Sequence, residues 1–358
     1  MMTGVVRLLT SDVLKIFLYV AASLALGAAM APWLYNIGMG IAEVTEGKET
    51  NELFAWLGEH ARSAKDNFPR FFDRSLLLAA VVLLFPLLSW LKMGRESSTY
   101  RDTPWSLRIP DSVVAMDQGQ PLRRNPDGLF HGLMGFILAA GLLLTSGWLM
   151  VQAGMFMWRD VEVSTGGVAN RLVMPVEWGE ILRKGLTTAL VVAVIEEVLF
   201  RGVLLGIFLR AMKPMPAILM LSLLFAFVHF LEPQVGASVP DPEAANAGFI
   251  LLGQIFSRFA DPMSFIGRFA VLTAVGVVLA IARWRTGSLW LPIGLHAGWV
   301  FALVIFKSST WPILDLPEIA RWLVGMSLLE GLLPLMMMVV TGVVVAMLTR
   351  PRDEAERA

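Results

Sequence analysis

The stretch that decides the fold is GLTTALVVAVIEEVLFRGVLLGIFL, residues 185–209. It is apolar over a length that can cross a bilayer, which takes about 20 mostly apolar residues in a helix. Its interior nevertheless carries Glu196, Glu197 and Arg201. An ionisable residue inside a membrane span costs at least ~2.5 kcal/mol on insertion scales and usually marks function. The stretch therefore predicts a membrane helix and a functional site together.

The composition of the whole chain agrees with a membrane protein. Of its 358 residues 56% are hydrophobic and 16% are charged, and the mean hydropathy is +0.66. Soluble domains use roughly 45–50% apolar and about 25% charged residues. The formal net charge is zero, which gives no sign of a nucleic-acid partner. The absence of cysteine excludes disulfides, thiolate metal sites and a cysteine nucleophile.

Working outward from residues 185–209, seven further charge-poor stretches predict an all-α, polytopic membrane protein with about eight transmembrane helices. Tryptophans near several span ends fit an interfacial aromatic belt. The predicted spans are 16–42, 75–91, 128–158, 185–209, 214–231, 263–284, 286–306 and 331–349.

Between these spans lie segments that are not expected to cross the bilayer. Residues 51–72 mix aromatic and charged side chains, which indicates an amphipathic segment in the membrane interface. Residues 247–259 are apolar but short, which favours an interfacial or re-entrant segment. Residues 97–127 are expected to form a polar loop. The first span resembles a signal peptide, but Pro32 directly after the small-residue site favours an uncleaved span.

Three regions are predicted along the chain. Residues 1–183 would form an N-terminal membrane region with three spans. Residues 184–307 would form a catalytic core with four spans, and residues 308–358 a last span with a basic tail. The short connections after the fourth and sixth spans are purely basic, whereas residues 234–262 carry three acids against one arginine. This asymmetry predicts that both termini face the cytoplasm. The membrane is expected to be a bacterial inner membrane.

Helical geometry separates the roles of the two adjacent glutamates. Glu197 and Arg201 are four residues apart and lie within about 40° on an α-helix, so their side chains can pair and cancel charge. Glu196 points about 140° away from Arg201 and needs a different partner. A carboxylate without a full counter-ion in a poorly solvated site can serve as a general base.

Two histidines at membrane depth are the candidate partners: His229 in the fifth span and His296 in the seventh. With Glu196 they could activate a water directly, the imidazoles positioning it or stabilising an oxyanion. The same three side chains could instead ligate Zn²⁺ as a His₂Glu site. The chain has no His-Glu-x-x-His motif, so no cofactor is certain.

These residues resemble the three signature blocks of the CAAX-protease and bacteriocin-processing (Abi/CPBP) family of intramembrane endopeptidases, which includes the type II CAAX prenyl endopeptidases. The first block is Glu196-Glu197-x-x-x-Arg201, the second Phe225-x-x-x-His229, and the third contains His296. The blocks occur in the same order and at similar intervals. The resemblance covers residues 185–306, about a third of the chain.

The resemblance implies a helical membrane enzyme that hydrolyses a peptide bond of a membrane-associated or lipidated protein. Glu196 would activate water together with His229. Glu197 and Arg201 would support it, Phe225 would line the substrate site, and His296 would bind or polarise the substrate carbonyl. Members of the family are called both glutamate-dependent and metal-dependent.

One position departs from the family pattern. Val300 stands where the third block usually has Asn or Asp, four residues after the histidine, as an oxyanion donor. Trp299 or a backbone N–H could replace that donor, so both Trp299 and Val300 are candidate substrate-binding residues. The departure keeps a second hypothesis open, that of a catalytically weakened immunity or assembly partner in the membrane. A proton or metal-ion transporter ranks last, because the two halves of the chain show no pseudo-symmetry.

Overall fold

The computed structural model describes residues 12–45, 67–93, 128–159, 177–233, 236–313 and 327–349, and these residues are mainly helical. Five helical segments are long and apolar enough to cross a membrane: Asp12–Thr45, Phe68–Leu91, Gly128–Gln152, Phe265–Thr286 and Trp290–Ser309. Three shorter apolar segments accompany them: Pro214–Val228, Ala247–Ala260 and Leu332–Leu348. The predicted all-α, polytopic fold is confirmed.

Ten α-helices, one π-helix, one 3₁₀ turn and two short strands make up the described part of the chain. In order they are α1 (Asp12–Thr45), α2 (Phe68–Met93), α3 (Gly128–Gln152), β1 (Phe156–Trp158), α4 (Trp178–Glu197), the π-helix (Val198–Leu204), α5 (Leu205–Ala211), α6 (Pro214–Val228), α7 (Ala247–Ser257), the 3₁₀ turn (Arg258–Ala260), α8 (Pro262–Thr286), α9 (Trp290–Ser309), β2 (Thr310–Pro312) and α10 (Leu332–Leu348).

Each predicted span contains a helix, but the end of the third span is wrong. The prediction runs to Trp158, whereas α3 ends at Gln152. Gly154 follows with a φ of 72°, in the left-handed region that favours glycine. The chain then forms β1, which pairs antiparallel with β2. An apolar run without charges does not distinguish a helix from a strand, which is why the sequence misses this ribbon.

The prediction of an interfacial segment over residues 51–72 is also wrong for its last five residues, 68–72, which belong to α2. Its residues 51–66, like the polar loop 97–127, lie outside the described residues. Phe68, Phe71 and Phe72 belong to α2 and are buried, and Tyr35 of α1 meets the first two rings edge-on. Burial against α1, rather than contact with the membrane interface, explains these aromatic residues. The predicted short segment 247–259 is α7 followed by the 3₁₀ turn, and its position relative to the bilayer stays a prediction.

The chain forms two compact units. The first comprises residues 1–106 and 228–264 as far as they are described. In it α1 packs against α2 and α7, around a core that includes Tyr35, Phe72 and Leu251. Ala28 of α1 lies so close to Gly248 of α7 that a Cβ added to Gly248 would collide with the α1 backbone. The predicted division into three regions stays a prediction.

The second unit comprises residues 107–227 and 265–358 as far as they are described, and it contains α9 packed against both α3 and α4. Gly294 and Gly298 of α9 face the backbone oxygens of Gly132 and Phe136 on α3, leaving no room for a Cβ. Small residues at such positions let membrane helices approach closely. Because His296 lies between these two glycines in the sequence, this contact fixes the part of α9 that carries it.

Candidate active site

A π-helix begins directly after the two glutamates. Glu197 is the last residue of α4, and the π-helix continues from Val198 to Leu204. Its wide turn is visible in the bond from the Leu205 N–H to the carbonyl of Phe200, five residues earlier. Short π-helices inside α-helices are rare and frequently occur at functional sites. The apolar stretch predicts a regular α-helix here. No residue pattern in the sequence indicates the switch from α-helix to π-helix.

Glu197 and Arg201 form a completely buried ion pair. Arg201 Nη1 donates to Glu197 Oε1 at 2.9 Å, and both side chains are 0% exposed. This is the partner expected from their spacing. Arg201 Nη2 also donates, at 3.2 Å, to the carbonyl oxygen of Gly276 on α8. The guanidinium is therefore held from two helices.

Glu197 has a second partner that the spacing could not reveal. Its Oε1 lies 2.8 Å from Nδ1 of His296, which is buried on α9. A carboxylate paired with a guanidinium can only accept, so Nδ1 carries the proton in this contact. From the sequence, Glu197 is expected to neutralise the charge of Arg201. In the structure it also orients the imidazole ring, as the carboxylate partner of a functional histidine commonly does.

Glu196 faces the other nitrogen of the same ring. Its Oε2 lies 3.9 Å from His296 Nε2. The separation exceeds the range of a hydrogen bond, and Glu196 Oε2 itself is buried. The Glu196 side chain is 26% exposed, whereas that of Glu197 is fully buried. Two adjacent glutamates thus meet opposite ends of one imidazole, and the one facing Nε2 is the more accessible.

Phe225 packs between the charged groups of the site. The Arg201 guanidinium carbon lies 4.4 Å from the centroid of its ring, a cation–π distance. The same ring meets Phe200 edge-on at 5.1 Å and His296 at 6.1 Å. Phe225 is buried, so these contacts place it in the wall that supports the ion pair. Its predicted contact with substrate stays a prediction.

Val300 lies one helical turn beyond His296 and packs against the buried alanines of the α4–α9 contact, Ala189, Ala193 and Ala297. A valine side chain fits these apolar surroundings and offers no hydrogen-bond donor. Trp299 is buried at 3% exposure, and its Nε1 has no hydrogen-bond partner among the residues that the structure describes. The substrate-binding roles of both residues stay predictions.

His229 belongs to the first unit. It directly follows α6 and is half-buried. The backbone beyond it is held by Arg258, whose guanidinium donates to the carbonyl oxygens of Phe230 and Glu232. The predicted role of His229 in activating water stays a prediction.

The suggested zinc site is not supported by the donor set. A catalytic zinc takes three protein ligands. Within the described ranges no group of three or more His, Cys, Asp or Glu side chains could hold a metal ion. The reaction proposed below therefore uses no metal ion.

Comparison with known proteins gives one family. Residues 178–302 match the family model described as type II CAAX prenyl endopeptidase Rce1-like. No curated protein and no solved structure matches the chain. The matched segment begins with α4 and ends within α9, so it contains the whole Glu196–Glu197–Arg201–His296 network. The match supports a membrane protease of the CAAX type in general.

Proposed function

We propose that the chain is an intramembrane endopeptidase, because residues 178–302 match the family model of the type II CAAX prenyl endopeptidases. Its substrate would be a membrane-associated or lipidated protein, cleaved near the C-terminus. The observation that carries the proposal is the placement of one imidazole between two glutamates, with the buried member fixed by an arginine. In this arrangement the carboxylate of Glu196 is the group that would accept a proton from the attacking water.

The charge balance of the network supports a proton acceptor. With a neutral imidazole, the four side chains Glu196, Glu197, Arg201 and His296 carry two carboxylates and one guanidinium, a sum of one negative charge. Binding one proton makes the network neutral. Peptide hydrolysis by water requires such an acceptor, because the attacking water gives up a proton that the leaving amine later takes.

The proposed reaction assigns one task to each side chain. Glu196 accepts a proton from the water whose oxygen attacks the substrate carbonyl, and the C–N bond breaks as that proton passes to the leaving nitrogen. His296, held through Nδ1 by Glu197, presents Nε2 to the reacting groups. Arg201 holds the carboxylate of Glu197 in place. His229 would assist Glu196, as the family resemblance implies.

The replacement Glu196→Gln tests this proposal. It keeps the side-chain volume and removes the proton acceptor, so hydrolysis should fall by about 10²–10⁴ while insertion and expression stay near native. The assay follows cleavage of a library of prenylated and unmodified C-terminal peptides by purified protein in detergent. Glu180→Gln, at an exposed position on the same helix, is the matched control. A Glu196→Gln protein with half of the native rate would remove Glu196 from the reaction.

A second function is favoured by one observation, the apolar contact of Val300 at the expected position of the oxyanion donor. Losing one such donor costs roughly 10²–10³ in rate in acyl-transfer sites. A family member of this kind could act as an immunity or assembly partner in the membrane. Native protein that cleaves no peptide of the library, yet copurifies with a membrane protein independently of Glu196, would favour this alternative.

We further propose that both termini lie in the cytoplasm of a bacterium with the chain in its inner membrane. Because the chain has no cysteine, single introduced cysteines are unique labelling sites. Gly154→Cys, exposed just beyond α3, should react in intact cells with an impermeant maleimide. Thr3→Cys and Ala355→Cys should react only after the membrane is permeabilised. The opposite labelling pattern would invert the proposed topology.

A further inference from the structure

We propose that Gly276 of α8 is a positioning residue of the site. Its carbonyl oxygen anchors Arg201, and through Arg201 and Glu197 it sets the orientation of His296. The inference rests on the proposed function for its effect on catalysis, while the anchor itself can be tested without any substrate. It adds α8, which contributes none of the three sequence blocks, to the elements that the site requires.

The first observation is how closely α8 approaches α6 at this residue. A Cβ built on Gly276 would lie 2.8 Å from Cβ and 2.9 Å from Cα of Ser222. Backbone atoms cannot give way like the end of a flexible side chain, so any larger residue must push the helices apart. Ser222 is 1% exposed, and its hydroxyl donates to the carbonyl of Ile218 at 2.7 Å, so its side chain is held in place too.

The second observation is what the close approach brings into reach. Arg201 is 0% exposed, and the Gly276 carbonyl oxygen is the acceptor for its Nη2 at 3.2 Å. This distance is at the upper end of the range for N–H···O bonds, so a small outward shift of α8 breaks the bond. A buried donor left without an acceptor is costly, especially when charged. The guanidinium would then move, together with the carboxylate of Glu197 that holds His296.

The residue type fits this role. A glycine in a helix interior costs about 1 kcal/mol relative to alanine, which calls for a compensating reason. Close approach of backbones is the usual reason in membrane helices. Here the close approach of α8 to α6 has a specific consequence. The carbonyl oxygen of Gly276 itself accepts a hydrogen bond from the fully buried guanidinium of Arg201.

The experiment compares Gly276→Ala with Gly267→Ala. Gly267 lies on the same helix, and among the described residues a Cβ there would meet the Gly331 nitrogen at 3.6 Å, an ordinary contact. Gly276→Ala should lower kcat by roughly 10–100-fold with KM within about twofold, as expected when catalytic groups are misplaced. Gly267→Ala should stay near native in both. A Gly276→Ala protein that loses thermal stability but keeps its kcat would show a purely structural role and overturn the proposal.

Rescue gives the second arm of the test. Ser222→Gly removes the Cβ, the nearer of the two carbon atoms that the new methyl group would strike, and leaves Cα at 2.9 Å. The double variant with Gly276→Ala should therefore regain part of the lost kcat, at least about threefold. Ser222→Ala keeps that Cβ and should not rescue. A double variant that does not fold, or folds without a gain in kcat, contradicts the proposed contact.

A third arm separates this inference from the proposed function. If native protein cleaves nothing, the proposed function fails, and the anchor is decided by thermal unfolding in detergent. Gly276→Ala and Arg201→Met should then cost less together than the sum of the two single losses, because a protein without the guanidinium has no anchor to lose and keeps the clash with Ser222. Additive losses would overturn the inference whether or not the protein is an enzyme.

Discussion

Replacement of Glu197 by alanine should destabilise the protein strongly. The carboxylate receives Arg201 at 2.9 Å and His296 at 2.8 Å and is fully buried. Without it Arg201 loses its carboxylate hydrogen-bond acceptor and keeps the Gly276 carbonyl and the face of the Phe225 ring. Breaking a buried pair by removing one partner costs roughly 3–5 kcal/mol. At about 2 °C per kcal/mol for a long chain, the melting temperature should fall by roughly 6–10 °C.

The pairing itself is measured by a double-mutant cycle. Arg201→Ala leaves a buried carboxylate unpaired and should cost a similar amount, whereas the double variant removes both charges and should lose roughly 2 kcal/mol less than the sum. Tryptophan fluorescence in detergent follows unfolding. Glu180→Ala, exposed on α4, is the control and should stay within about 0.5 kcal/mol of native. Additive losses from Glu197→Ala and Arg201→Ala would refute the pairing.

Three further results are expected. Gly298→Ala should lower the free energy of unfolding by about 1–3 kcal/mol, because its Cβ would strike the α3 backbone. In the same thermal melt Gly141→Ala should be neutral or stabilising, because among the described residues no atom lies within 4 Å of the new Cβ. Val300→Asn should lower the melting temperature by placing an amide against Ala193, yet hold or raise kcat with little change in KM; a sharply lower kcat would show that the valine contacts substrate. EDTA should leave kcat unchanged, and metal analysis should find much less than one zinc per chain; stoichiometric zinc that disappears in His296→Ala would contradict direct activation of water.

The sequence alone determined the solvent and the positions of most helices. The excess of apolar residues requires a bilayer, and long charge-poor stretches predict the helices. It also determined the Glu197–Arg201 pair, because a four-residue spacing brings side chains together on a helix regardless of the rest of the fold. The order of the three blocks indicated the family, which the match to residues 178–302 supports.

Only the tertiary structure decided which side chains meet across helices. The contact of Glu197 with His296 joins residues 99 positions apart, and that of Arg201 with Gly276 joins residues 75 positions apart. Such distances depend on how closely glycines let one helix approach another, and no local periodicity encodes this. The β-ribbon after α3 escaped prediction for a related reason, because its two strands stabilise each other through backbone bonds between segments distant in the chain.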